Sequence, residues 1–117
     1  MNQIIVSGRL ASNPELKQTK GDKSIPMCTF VLAVNRPSKE RKADFPTVVT
    51  WRGVAEFAAK HLRKGQRIII HGEIRTHDFI NGEGKKHKIT EIQADRIEFA
   101  ENKITKQEDE YEASGNS

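Results

Sequence analysis

The sequence predicts an all-β domain of five strands with a single helix between the third and the fourth. Three observations carry that prediction. Five separate runs are rich in β-branched and aromatic residues with a period near two, which suits half-buried strands. One run, 53–65, switches to helical spacing. Turn-forming clusters such as SNPE (12–15) and NGEG (81–84) separate the runs.

Taken in order, QIIVSGRL (3–10) reads as the first strand and SNPE as the turn behind it. LKQTKGDKS (16–24) reads as a polar connection that bends at Gly21. MCTFVLAV (27–34) is the second strand; Cys28, Phe30, Leu32 and Val34 form its apolar face, which assigns Phe30 to the core. NRPSKERKA (35–43) is a basic loop or hairpin tip. DFPTVVTW (44–51) is the third strand, and Pro46, which has no ladder N–H, marks an edge or a bulge in it.

In GVAEFAAKHLRKG (53–65) the apolar residues Val54, Phe57, Ala58 and Leu62 line one helical face, so Phe57 faces the core. Gly65 is placed to end this helix, and Lys60, Arg63 and Lys64 suit the negative end of its dipole. QRIIIHGEIRTHDFI (66–80) is the fourth strand, with Ile68, Ile70, Gly72 and Ile74 on one face and His71, Glu73, Arg75, His77 and Phe79 on the other. NGEG is a hairpin turn, and KKHKITEIQADRIEF (85–99) the last strand. This is the layout of an OB-fold, a five-stranded Greek-key barrel, though other small α+β domains share the order. Residues 1–100 form the domain, and 101–117 read as a flexible polar, acidic tail.

Charge adds a partner class. The net charge of +4 is split. Residues 1–100 carry 18 Lys and Arg against 11 Asp and Glu, while 101–117 carry 2 against 5. A basic body with an acidic end points to a polyanion. With charged residues at 31% and a mean hydropathy of −0.69, the chain reads as soluble. It has no apolar run near the ~20 residues of a membrane span and no signal-peptide pattern at MNQIIVSGRL. Cys28 is the only cysteine, which excludes an internal disulfide, fits a reducing cytosol, and reads as a small buried apolar residue.

Enzyme chemistry finds no motif. There is no phosphate-binding Gly-rich loop, nucleophile elbow or zinc-type Cys pair. His71 and Glu73 share a strand face, but no third metal ligand is spaced to join them. The expectation is a non-enzyme without metal or cofactor.

The aromatics suggest what the basic body holds. In the third strand Phe45, Thr47, Val49 and Trp51 share one parity, beside the basic residues Arg36, Lys39, Arg41 and Lys42. An unpaired nucleic acid strand offers free base faces and a flexible phosphate chain. Stacking on an aromatic is worth roughly 1–3 kcal/mol per base and tolerates any base. Lysine and arginine track the phosphates and release counterions. Six strand steps separate Phe45 from Trp51 by roughly 20 Å, so each would serve a different nucleotide. Arg75, Lys85, Lys86 and Lys88 extend the cationic set along the long hairpin.

The sequence also resembles the bacterial single-stranded DNA-binding protein family, from Asn2 to about Glu101. The resemblance rests on IIVSGRL with NPEL, FVLAVNRP, ADF with VVTW, LRKG, HGEIRT and TEIQADRIEF, in that order and spacing. It implies an OB-fold, usually a homotetramer, that binds single-stranded DNA with little sequence preference in replication, repair and recombination. Phe45 and Trp51 match two stacking positions and Phe79 a third; Arg75, His77 and Lys64 fall where the family often has cationic contacts. Ser38 stands where relatives often have an aromatic, which removes one platform. The chain ends EYEASGNS, without the family's acidic, hydrophobic tip, so recruitment of proteins through the tail is not expected. The resemblance places the protein in the cytoplasm of a bacterium, or of a host carrying a phage or plasmid. Two other readings stay open: an adaptor of a primosome-type replication-restart complex, and an RNA-binding OB module. Strand one, with IIV, could pair across a dimer.

Overall fold

The computed structural model describes residues 1–37 and 42–100. Ser38, Lys39, Arg41 and the tail 101–117 lie outside the described residues. The chain forms β1 (Ile4–Leu10), β2 (Glu15–Gln18), β3 (Pro26–Asn35), β4 (Ala43–Asp44), β5 (Thr47–Trp51), α1 (Arg52–His61), β6 (Arg67–Ile80) and β7 (Lys86–Phe99).

Strand pairing runs in a circuit. β1 pairs β6, β6 pairs β7, β7 pairs β5, β5 pairs β3, and β3 returns to β1. All of these are antiparallel except β5 with β7. The circuit closes through two residue pairs only, Arg9 with Ala33 and Leu10 with Leu32. Five principal strands, with one helix between the third and fourth, make the expected OB-fold.

Two glycines permit the tight crossings. A Cβ at Gly8 would strike the Ala33 carbonyl oxygen, where β1 meets β3. A Cβ at Gly72 would strike the Gln93 carbonyl oxygen, where β6 crosses β7. The β6–β7 register slips between His71 and Gly72, which leaves Asp95 as the extra residue of a bulge.

Inside the circuit sit Leu10, Cys28, Phe30, Leu32, Val48, Ile68, Ile70, Ile92 and Ala94, with Ala55, Ala58 and Leu62 from the helix side. Phe30 is a core residue, as its parity predicts. Phe57 packs against the core from its margin, its ring 5.0 Å from His61 and 6.1 Å from Phe99. Cys28 is fully buried; burial first, and Glu15 second, push its thiol above the usual range. The one buried polar residue among the described ones, Thr50, donates from Oγ1 to the Cys28 carbonyl at 2.8 Å, which meets its need for a partner.

Three boundaries differ from the sequence prediction. LKQTKGDKS is not wholly a connection: Glu15–Gln18 pairs with β3. All four residues of β2 are exposed, so no alternation marked it. The run 44–51 is two strands, broken at Phe45 and Pro46, so the 20 Å estimate for an unbroken strand does not hold. Pro46 instead offers its carbonyl to the Leu32 N–H at 3.0 Å. Finally, the helix stops at His61, not at Gly65. The Leu62 N–H still bonds the Ala58 carbonyl, but its backbone turns extended and its side chain is fully buried. Gly65, at φ 95°, serves the turn into β6 and donates its N–H to the Leu10 carbonyl at 2.8 Å.

β6 and β7 run on past the barrel as a two-stranded arm, exposed along β6 from Ile74 to Ile80. Its turn is built by Asn81, whose Oδ1 accepts from the N–H groups of Glu83 at 2.9 Å and Lys85 at 3.0 Å.

Candidate nucleic-acid interface

The strand registers assemble one outer face from four strands. Met27, Thr29 and Val31 of β3 lie beside Trp51, Val49 and Thr47 of β5. Thr47 and Val49 lie beside Glu91 and Gln93 of β7. These in turn lie beside Arg75 and Glu73 of β6. Their chain neighbours Cys28, Phe30, Val48 and Ile92 fill the core, so this set lies on the opposite side of the sheet, where Val49 is nonetheless buried. The face continues along the arm through the pairs His77–Ile89 and Phe79–His87.

Trp51 is the last residue of β5 and is half-buried. Its indole Nε1–H donates to Gln93 Oε1 at 3.1 Å. Phe79 stands on the arm, 50% exposed. Phe45 occupies the break between β4 and β5 and is 61% exposed. The three aromatics nominated from the sequence are therefore outside the core. Trp51 and Phe79 share the outer face; Phe45 lies in the connection that leads into it.

Several nominated cations already hold carboxylates. Arg36 donates to Asp44 through Nε at 3.0 Å and Nη2 at 2.9 Å. That bond holds the Asp44 carboxyl below the usual range and raises the guanidinium's own pKa. The Arg36 N–H also bonds the Lys42 carbonyl at 2.9 Å, so the two ends of the basic loop are tied together. Arg75 meets Glu73 at 3.2 Å, His77 meets Glu91 at 3.1 Å, and Lys86 meets Asp78 at 3.4 Å. Lys64 is exposed in the turn after the helix, where its N–H bonds Asn13 Oδ1 at 2.8 Å. Lys39 and Arg41 lie outside the described residues.

The arm has two faces, which divides the hairpin lysines from the aromatic. Arg75, His77 and Phe79 share one face with His87, Ile89 and Glu91. Lys86 and Lys88 pair with Ile80 and Asp78 on the other. That second face runs down through Thr90 and Ile74 into an apolar groove lined also by Ile4, Val6, Val34 and Pro46. Lys85 belongs to the turn. Sequence reasoning missed Gln93, His87 and the interleaved carboxylates. Their common parity in KKHKITEIQADRIEF was readable, but their neighbours on β5 and β6 were not.

His71, which shares a strand face with Glu73, meets Glu98 at 2.6 Å, and Arg96 joins both. Among the described residues no group of three His, Cys, Asp or Glu is arranged to hold a metal ion. Among them, too, no helix is long and apolar enough to cross a membrane.

Comparison with known proteins gives concordant results. A sequence model described as the Single-strand binding protein family matches residues 1–100. A single-stranded DNA-binding protein of Caldanaerobacter subterraneus is 39% identical over 107 residues, covering 88% of this chain and 70% of that protein. Single-stranded DNA-binding protein A of Bacillus subtilis is also 39% identical over 107 residues, covering 88% of this chain and 61% of its own. The solved structure of a Plasmodium falciparum SSB complex with ssDNA superposes with a TM-score of 0.76 at 26% identity, over 86% of this chain and 96% of that one.

Proposed function

The chain belongs to the Single-strand binding protein family, and from that membership we propose that its outer face binds single-stranded DNA without sequence preference. The observation that carries this reading is the placement of half-buried Trp51 on β5 and exposed Phe79 on β6 on one continuous sheet face, with Arg75 and His77 on the same face of β6 as Phe79. Bases stack on Trp51 and Phe79, and on Phe45 where the strand leaves the face. The phosphates run past Arg36, Lys42, Lys64, Arg75 and His77, with Lys39, Arg41 and Lys85 as further contacts and Lys86 and Lys88 reached only on the arm's other face. The ion pairs on the face give way as phosphates replace carboxylates. The biological role is protection of exposed single strands in replication, repair and recombination, and the reading gives the protein no catalytic step.

We also infer that the chain works as a homo-oligomer, a tetramer or a dimer. β1 is paired along its length with β6, but with β3 only at Arg9 and Leu10. Its second edge over Ile4–Gly8 has no strand partner among the described residues, and Ile5 beside it is exposed. An open edge of this kind favours pairing with another chain. Light scattering reads a multiple of the 13.2 kDa chain mass if this is right.

The deciding experiment for the binding reading uses Trp51, the one Trp in the chain. Its fluorescence is titrated with oligo-dT and with a duplex of equal length at several salt concentrations. Quenching by the single strand, weakening as salt rises, is the expected result. No quenching, and no binding of either DNA by competition, would move the adaptor reading to first place.

A further inference from the structure

We propose that Gln93 is a positioning residue for Trp51: it fixes the plane of the indole so that the ring is set for a base before DNA arrives. This rests on the reading of Trp51 as a base platform.

Trp51 ends β5 and has its Cα opposite Met27 of β3. Directly after it, Arg52 has a φ of 54°, the one left-handed non-glycine residue among those described, and the helix begins there. The sharp turn fixes the Trp51 backbone but leaves two side-chain torsions to settle the ring. The bond from Nε1–H to Gln93 Oε1, 3.1 Å long, restrains them. Gln93 is a firm post. It sits in mid-β7, with Val49 of β5 on one side and Glu73 of β6 on the other. Its main chain is also the point that Gly72 approaches too closely for any Cβ. A ring ordered in advance loses less freedom on binding, and that saving appears as affinity.

Gln93→Leu removes the acceptor and keeps similar bulk. In the free variant the emission anisotropy of Trp51 falls, while the thermal midpoint stays close to that of the parent protein. Binding to a fluorescein-labelled oligo-dT weakens about three- to tenfold, the range of one lost neutral hydrogen bond. Trp51→Phe keeps a stacking ring without the N–H, and in that background Gln93→Leu causes no further loss. Gln93→Glu keeps an acceptor at the same reach and preserves the anisotropy of the free protein. The proposal is overturned if Gln93→Leu leaves Trp51 as ordered as before, or if it weakens binding equally with and without the indole N–H. Failure of the parent protein to bind oligo-dT overturns the base-platform reading itself, a result visible before any variant is made.

Discussion

The guanidinium of Arg36 grips the carboxylate of Asp44 by two bonds, Nε to Oδ2 at 3.0 Å and Nη2 to Oδ1 at 2.9 Å. The pair joins the end of β3 to β4 and sits one residue before the exposed Phe45. It therefore both braces the approach to a proposed base platform and occupies a cation that a phosphate would seek.

Asp44→Asn frees that cation from its ion pair and removes one negative charge beside the proposed DNA path. The expected result is tighter binding of oligo-dT, by about two- to fivefold at low salt. A loss of affinity instead would mean that the brace on Phe45 outweighs the freed charge. The acid behaviour of the pair has a fixed sign. Asp44 is depressed below the ordinary carboxylate range, chiefly by its bond to Arg36, so its contribution to stability is complete above that range. It disappears as pH falls through the depressed value. Glu98, depressed first by its bond to His71 and then by Arg96, follows the same course. Thermal unfolding from pH 7 down to pH 2, compared between parent and Asp44→Asn, measures this. The two curves converge at the acid end.

Phe79→Ala and Phe45→Ala remove the proposed platforms, which stand exposed outside the core. Each weakens oligo-dT binding by roughly 1–3 kcal/mol, about five- to 150-fold. Stability shifts by about 0.5 kcal/mol or less, as for other exposed positions. Labelled-oligo anisotropy and a melting curve on the same preparations separate the two effects. Normal affinity with a large loss of stability would return these residues to a structural role.

Arg75→Ala addresses the phosphates. On a log–log plot the affinity for single strands falls linearly with salt, and losing one phosphate contact lowers the slope by about 0.7. An equal loss at every salt concentration, with the slope unchanged, would show that Arg75 does not engage a phosphate. Lys88→Ala is the companion measurement, because Lys88 lies on the opposite face of the arm from Phe79. Its slope change is expected to be smaller.

Gly72→Val tests the crossing of β6 over β7. The new side chain would press on the Gln93 carbonyl, which is ladder backbone and cannot swing aside. The expected cost is about 3 kcal/mol or more, a drop in the melting temperature of roughly 15 °C. Gly82→Val, where a Cβ meets nothing within 4 Å, serves as the control and melts near the parent.

Much of this protein is legible in its sequence because burial leaves a local signature. Alternation in MCTFVLAV placed Phe30 in the core, and the change of period after Trp51 located the helix between the third and fourth principal strands. Parity alone put Arg75, His77 and Phe79 on one face. What it could not show are features with no periodic trace. β2 is exposed at each of its four residues, so its pairing with β3 left no pattern to read. The helix was expected to reach Gly65, but Leu62 leaves it early to bury its side chain.

The functional face divides along the same line. Spacing determined which strand residues share a face, since a strand's side chains alternate whatever its neighbours are, and the family resemblance nominated Phe45, Trp51 and Phe79 as the aromatics outside the core. Tertiary structure alone decided the rest. The parallel pairing of β5 with β7 brings Gln93 to Trp51 across 42 positions of chain. Folding also sets Asp44 and Glu91 against Arg36 and His77. A contact between distant residues depends on which strands lie side by side and in what register. Closure of the whole circuit sets that register, and no single stretch of chain contains it.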